Sequence, residues 1–194
     1  MARSPRRLER IRSVLEHRQP GLTVVMENIH DPHNVSAILR SCDAVGVMSV
    51  ELLYTAEKFP RIGKKSSSSA NKWVDRRKHS SVDQCYGLLR SEGFKIVATR
   101  LGSGSRLLYD FDLTRKTALV LGNEHRGVSD EAAGKADECL YIPMMGMIES
   151  LNVSVAAAVC LYESLRQRLA KGMMNGPQLP PDALLSLFST WTDL

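Results

Sequence analysis

Three short segments of this chain carry polar residues of the kinds that bind ligands or do chemistry. Asn34 and Arg40 lie in the first, N-V-S-A-I-L-R (34–40). Glu124 lies in the second, L-G-N-E-H-R-G (121–127). Ser150 and Asn152 end the third, I-P-M-M-G-M-I-E-S-L-N (142–152). We expect the three segments to form one active site.

The first segment has two interpretations. Asn34 is well placed to be the N-cap of a helix in which Arg40 lies near the middle. The rotation of a helix does not bring these two side chains to one face. Either Asn34 lies at the mouth of a site and Arg40 points back along the helix, or the pair is a cap and a surface arginine.

The second and third segments have the character of ligand-binding loops. Gly122 directly follows an apolar run, where a glycine lets a ligand approach the backbone. No G-K-[ST] follows it, so the segment is not a phosphate-binding P-loop. The glycine- and methionine-rich loop of residues 143–147 is apolar enough to be buried or to line an apolar slot. Ser150 and Asn152 lie at a predicted helix N-terminus, which favours an anion or a polar ligand.

Alternating strands and helices must position these segments. The apolar runs predict strands at 22–28, 47–54, 94–99, 117–122 and 138–142. Helical patterns fill the intervals, with a first helix after Pro5, a long one from Asn152 and a short one at the C-terminus. This alternation predicts an α/β fold with a mainly parallel sheet flanked by helices. The three segments each follow a strand, and ligands of such sheets bind beyond the carboxyl ends of the strands.

The pattern divides the chain into a basic helical extension (1–20), one globular domain (21–170) and a linker with a terminal helix (171–194). The polar run at 55–72 reads as a long mobile loop. No apolar stretch is long enough to span a membrane, and no signal-peptide pattern follows the basic N-terminus. The four cysteines have no zinc-finger spacing, so we expect no metal and a cytoplasmic protein with reduced thiols.

The net charge of +5 is concentrated in three basic clusters, at the N-terminus, around Lys72 and near the end of the long helix. Any one cluster alone is better explained as a solvated helix face, but the three together make RNA or DNA an equally good interpretation. The candidate RNA-binding residues are Arg7, Arg10, Arg18, Lys64, Lys72, Arg166 and Arg168.

Taken in order, the segments at 27–46, 120–129 and 142–159 resemble the three signature motifs of the SpoU/TrmH branch of the SPOUT RNA methyltransferases. The resemblance spans roughly residues 20 to 170. The short basic N-terminal helix, the serine-rich loop and the helical tail are similar to the members that modify tRNA. The members that modify ribosomal RNA usually carry a separate RNA-binding domain.

The resemblance implies a deep C-terminal trefoil knot and a homodimer with its site near the subunit interface. It implies that S-adenosylmethionine binds in the knot, and that a methyl group passes to the ribose 2′-hydroxyl of the guanosine at position 18 of tRNA. The implied cofactor-binding residues are Thr99, Gly122, Ile142, Met147 and Leu151. The implied catalytic residues are Arg40, Asn34, Glu124, Ser150 and Asn152, with Arg40 better suited to stabilise an alkoxide than to act as a base.

Two alternatives remain open at this point. One is the same chemistry on another RNA or another tRNA position. The other is a non-catalytic RNA-binding protein that keeps the scaffold of the family.

Overall fold

The structure is a computed structural model that describes residues 4–60 and 70–194, with only the backbone of Asn71. The predicted RNA-binding residue Lys64 and the serines of the 55–72 loop lie outside these residues. The strands are β1 (Leu22–Glu27), β2 (Ser49–Leu53), β3 (Asp75–His79), β4 (Lys95–Thr99), β5 (Arg106–Leu107), β6 (Thr117–Leu121) and β7 (Glu138–Tyr141). The helices are α1 (Pro5–Glu16), α2 (Pro32–Ala44), α3 (Val82–Ser91), α4 (Asp130–Lys135), α5 (Val153–Ala170) and α6 (Pro181–Asp193).

The strands form one parallel sheet in the order β3-β2-β1-β6-β4-β7-β5. This confirms the predicted α/β class. Every residue of β1 and β6 is buried, because helices cover both faces of the sheet there. The carboxyl ends of β1, β6, β4 and β7 meet at one edge. The three motif segments leave the sheet at that edge.

The sequence pattern missed β3, whose residues looked like a basic surface cluster. An edge strand of charged residues has no apolar alternation to reveal it, and charge on an edge discourages pairing with another chain. Alternate residues of β3 point to opposite faces. Arg77 and His79 face inward to Glu51, at 2.6 Å each, whereas Arg76 and Lys78 are exposed.

The terminal helices α1 and α6 pack against each other. Trp191 of α6 lies against Trp73, with ring centroids 4.9 Å apart. The guanidinium of Arg18, 4.9 Å from the Trp191 ring centroid, is almost fully buried beneath it. Arg18 donates to the Val47 carbonyl (2.8 Å) and to Asp43 (2.6 Å). The prediction that Arg18 binds RNA is therefore wrong, because its guanidinium is engaged inside the protein.

Arg168 requires the same correction. It is fully buried on the inner side of α5, where it donates to the carbonyls of Gly21 (2.8 Å), Leu113 (3.1 Å) and Arg115 (3.0 Å). Burial lowers its pKa to about 10, which leaves it cationic at neutral pH. Arg168 therefore joins segments distant in sequence and does not face a polyanion. No helix of the described chain is long and apolar enough to cross a membrane.

Candidate active site

Glu124 is the centre of a hydrogen-bond network that joins the first two motif segments. Its carboxylate accepts from the backbone N–H groups of His30 and Asp31, at 3.0 Å each, and from Asn34 Nδ2 at 2.9 Å. Burial opposes its ionisation, but these hydrogen bonds outweigh burial and hold the pKa of Glu124 below its ordinary value. Glu124 is therefore an anion at neutral pH, and its role is to accept hydrogen bonds rather than protons.

Asn34 extends the network to the third segment. Its Oδ1 accepts from Asn152 Nδ2 at 3.0 Å, and Asn152 Oδ1 in turn accepts from Ser154 N at 2.8 Å. Asn152 is thus the N-cap of α5, at the predicted start of that helix. The predicted cap role of Asn34 is wrong. Asp31 caps α2 by accepting from His33 N, and this leaves the Asn34 amide free to link Glu124 to Asn152.

Asn28 and Asn123 belong to the hydrogen-bond network beside the candidate site, and the sequence interpretation missed both. Asn28 has a positive φ of 49°, and its Oδ1 accepts the backbone N–H groups of residues 55, 56 and 57. Its carbonyl accepts from Asn123 Nδ2 at 2.8 Å. Asn28 therefore ties together the chain after β1, β2 and β6. An asparagine directly after a buried strand was the available signal, since asparagine tolerates positive φ better than most residues.

The segment after β6 turns back on itself within five residues. Asn123 and Gly127 exchange two backbone hydrogen bonds, of 3.0 and 2.8 Å. A Cβ on Gly122 would lie 2.0 Å from the carbonyl carbon of Gly127. Gly122 is therefore required for close packing of the backbone, in addition to any contact with a ligand.

A cavity of about 790 Å³ opens beside this network at the carboxyl ends of β6, β4 and β7. Four of the five predicted cofactor-binding residues line it: Thr99, Gly122, Ile142 and Leu151. The fifth, Met147, is fully exposed and lies outside the lining, whereas Met144 is part of it. The catalytic candidates Glu124, Ser150 and Asn152 also line the cavity.

Arg40 lies apart from these residues. It is exposed on α2, is absent from the cavity lining and makes no ion pair or hydrogen bond with any described residue. Asn34 and Arg40 are six residues apart, so they project from different faces of the helix. Within one chain the structure brings together Asn34, Glu124, Ser150 and Asn152, but not Arg40.

Beneath the outer strands, Glu51, His79 and Cys85 place donor atoms within 4.8 Å of one another. This is a set of potential metal ligands. However, the Glu51 carboxylate is already held by Arg77, with Nε at 2.8 Å. Burial raises the pKa of Cys85 to about 12, which keeps its thiol protonated. The group is best described as a buried ion-pair network.

The remaining RNA-binding candidates differ in exposure. Arg10, Lys72 and Arg166 are exposed, whereas Arg7 is half-buried. Arg166 forms an ion pair with Glu163 at 2.8 Å. Arg10 and Lys72 have no ion-pair partner among residues 4–60 and 70–194, and are therefore the stronger candidates.

A parallel α/β sheet with a polar network and a cavity at its carboxyl edge defines a ligand-binding enzyme scaffold. Residues 21–162 match the SpoU rRNA Methylase family. The chain is 44% identical to a tRNA (guanosine(18)-2′-O)-methyltransferase of Thermus thermophilus over 97% of each chain. The chain therefore belongs to the SpoU/TrmH family of methyltransferases.

Two solved structures show the same fold. The A. aeolicus TrmH/SpoU tRNA-modifying enzyme has a TM-score of 0.90 at 41% identity, and the match covers 96% of this chain and 95% of that one. The SpoU methyltransferase AviRb of Streptomyces viridochromogenes, solved with AdoMet, has a TM-score of 0.71 at 26% identity. That match covers 88% of this chain and 66% of AviRb.

Proposed function

We propose that this protein transfers a methyl group from S-adenosylmethionine to the ribose 2′-hydroxyl of the guanosine at position 18 of tRNA. The observation that carries the proposal is the Glu124–Asn34–Asn152 network beside the large cavity. This network joins the three motif segments of the family. A relative that is 44% identical is a tRNA (guanosine(18)-2′-O)-methyltransferase.

The cavity fits the proposed cofactor in its chemistry. Its lining combines apolar side chains, such as Leu121 and Ile142, with the carboxylates of Glu124 and Glu149 and with the cationic Arg126. A sulfonium nucleoside with an amino-acid tail needs an apolar surface and groups of both charges. When bound, S-adenosylmethionine supplies an activated methyl group. Thr99, Gly122, Ile142, Met144 and Leu151 are the residues that would hold it.

The residues of the chain must position the acceptor hydroxyl and stabilise its developing negative charge. Glu124 holds Asn34 through a hydrogen bond, and Asn34 holds Asn152 at the start of α5. The polar groups at the cavity mouth are thereby fixed before the RNA binds, which reduces the cost of orienting it. A guanidinium stabilises an alkoxide well but accepts a proton poorly. Arg40 is accordingly assigned to charge stabilisation.

Arg40 does not line the cavity of its own chain, so we infer a homodimer in which it faces the cavity of a second copy. Exposed apolar side chains recur on α5 at positions 155, 162 and 169, each about half exposed. A repeat of seven residues places them along one face of the helix. Such an apolar stripe on a surface helix favours an interface with another protein chain.

Complementation between two inactive variants tests this arrangement. Arg40→Ala and Glu124→Ala chains are purified separately, then unfolded and refolded together. If Arg40 acts across the interface, each mixed dimer has one complete site, and about a quarter of the wild-type activity returns. If Arg40 acts within its own chain, every site in the mixture carries a defect and no activity returns.

The other parts of the proposal follow the family. They are a trefoil knot, a cytoplasmic location and the division into an extension (1–20), a domain (21–170) and a tail (171–194). The knot is supported by Gln167 and Arg168 of α5, which bind the main chain of residues 111–115. The packing of α1 against α6 supports grouping the two terminal segments with each other, and Arg18 and Trp191 join them to the domain.

Methyl transfer to unmodified tRNA transcripts, followed by mapping of the modified nucleotide, tests the function. We expect one methylated ribose at guanosine 18. Methylation elsewhere would support another RNA target. Binding of RNA without methyl transfer would support a non-catalytic relative.

A further inference from the structure

A second cavity, of about 300 Å³, lies at the carboxyl ends of β2 and β3. We propose that it binds one nucleotide of the substrate RNA, next to or near the nucleotide that is methylated. This proposal rests on the proposed function, because it assigns a further RNA subsite to the same reaction. The cavity is lined by Leu52, Tyr54, Phe59, Lys78, His79, Ser80 and Gln84.

The lining has the chemistry that a nucleotide requires. Tyr54 and Phe59 form an edge-to-face pair with centroids 5.2 Å apart, and aromatic rings bind bases of any sequence by stacking. The exposed amine of Lys78 supplies a cation for a phosphate. The Oε1 of Gln84 accepts from Ser80, but its Nε2 has no partner within the described chain and is free to donate to a base.

A basic surface beside the cavity favours RNA over another occupant. Lys72 and Arg76 lie before the lining residue Lys78 in the chain; all three are exposed and make no ion pair with any residue that the structure describes. Arg76 and Lys78 also project from the same face of β3. This basic track leads to the carboxyl edge of the sheet, where the cavity opens. The size of the cavity is at the lower end of the range of small-ligand pockets, about 300–1,000 Å³.

The second cavity is also close enough to the proposed methyl-transfer site for one RNA strand to occupy both. Only β1 separates β2 from β6, and neighbouring strands are about 4.8 Å apart. Both cavities lie at the same edge of the sheet, so by this spacing their nearest edges are about 10 Å apart and their midpoints about 17 Å apart. A short segment of unstacked single strand can therefore reach both cavities.

The chain between the two cavities is held rigidly. The Tyr54 hydroxyl donates to the carbonyl of Ile29 at 2.8 Å, one residue before the backbone that binds Glu124. Burial, and then the negative charge of Glu124, raise the pKa of Tyr54, so the hydroxyl remains a donor. A nucleotide stacked on Tyr54 would therefore be fixed relative to the Glu124 network.

The test uses the full-length protein with tRNA transcripts. The variants are Phe59→Ala, Lys78→Ala and Gln84→Ala, with Lys58→Ala as the control, because Lys58 is exposed on the same segment but outside the lining. Tyr54 is left intact because of its bond to Ile29. Transcripts carry one abasic nucleotide at each position near the methylated one in turn.

On the intact transcript we expect Phe59→Ala to raise KM about 5- to 100-fold. Gln84→Ala and Lys78→Ala should have smaller effects, and Lys58→Ala none. S-adenosylmethionine binding should not change in any variant. At one position, an abasic nucleotide should raise the KM of the wild-type protein as much as Phe59→Ala raises it for the intact transcript. Combining that abasic transcript with Phe59→Ala should raise KM no further.

The inference is overturned if KM stays within twofold of wild type for all three cavity variants. It is also overturned if the effects of Phe59→Ala and of the abasic nucleotide on KM multiply in full at every abasic position. Direct binding of the transcripts provides a second readout that requires no methyl transfer. If the wild type methylates no RNA, the proposed function fails. In that case, weaker binding of the transcripts by the three cavity variants than by Lys58→Ala would still support the subsite, and equal binding would overturn it.

Discussion

Two predicted catalytic residues of α2, one near its start and one beyond its middle, lie in opposite environments. Asn34, near the start, is buried and bonded to Glu124 and Asn152, whereas Arg40, two turns later, is exposed and has no partner in the described part of its own chain. The same contrast separates Arg168, which is buried among carbonyls, from Arg10, which is exposed. Residues with inward partners support the fold and the site, whereas free residues are available to another molecule.

The largest effect that this comparison predicts is the loss of catalytic activity when Arg40 is replaced. Arg40→Ala should lower kcat about 100- to 1,000-fold, as the loss of a charge-stabilising donor does in other enzymes. The midpoint of thermal unfolding and S-adenosylmethionine affinity should not change, because Arg40 is exposed and makes no ion pair or hydrogen bond with a described residue of its chain. Arg40→Lys, which keeps the charge but not the planar fork, should recover part of the activity. A drop in the unfolding midpoint would show that Arg40 is structural.

Replacing Arg168 tests the other half of the comparison, the role of a buried arginine in the stability of the fold. Arg168→Ala leaves the Leu113 carbonyl and Gln19 Oε1 without a donor among the described residues, whereas the Gly21 and Arg115 carbonyls keep their bonds from Thr117. Each unsatisfied buried group costs about 1–3 kcal/mol, and the lost side chain also leaves a cavity. We expect the free energy of unfolding in urea to fall by about 3 kcal/mol or more.

Arg166→Ala is the matched control for Arg168→Ala, since Arg166 is exposed on the same helix and its buried partner Glu163 keeps a hydrogen bond from Gln167 at 2.8 Å. It should cost less than about 1 kcal/mol. Equal losses from the two variants would contradict the division between buried and free arginines.

Glu124→Gln should have an intermediate effect. The glutamine keeps one acceptor oxygen but turns an amide N–H₂ towards groups that donate to the carboxylate. The free energy of unfolding should fall by about 1–3 kcal/mol, and methyl transfer should fall with it. Glu149→Gln, at an exposed carboxylate of the same cavity, should leave stability unchanged. Unaltered stability in Glu124→Gln would mean that the network does not hold the segments together.

The smallest expected effect is on pH dependence. The folded pKa of Glu124 is lower than its ordinary value of 4.5, so its ionisation stabilises the fold above that value. This contribution is lost as pH falls through the lowered folded pKa. The stability difference between wild type and Glu124→Gln should therefore shrink in thermal unfolding measured from pH 6 towards pH 3. A constant difference in stability across that range would show that the ionisation of Glu124 does not stabilise the fold.

Much of the fold was predictable because its signals are local. The buried strands β1 and β6 are continuous apolar runs, and Asn152 marks the start of α5 by its side-chain chemistry. The edge strand β3 was not predictable, since its charged residues lack alternation. The cap of α2 was also misplaced, because Asp31 and Asn34 both suit an N-cap and only the packed structure shows which one accepts the bond.

The sequence by itself determined the class of fold, the family and the three segments of the site, because hydrophobic periodicity and short motifs are local properties of a chain. Only the tertiary structure decided which polar residues meet. It turned Asn34 from a cap into a link between Glu124 and Asn152, buried Arg18 and Arg168, and left Arg40 free. The partners of a polar side chain lie up to 118 residues away in this network, and no local pattern records them.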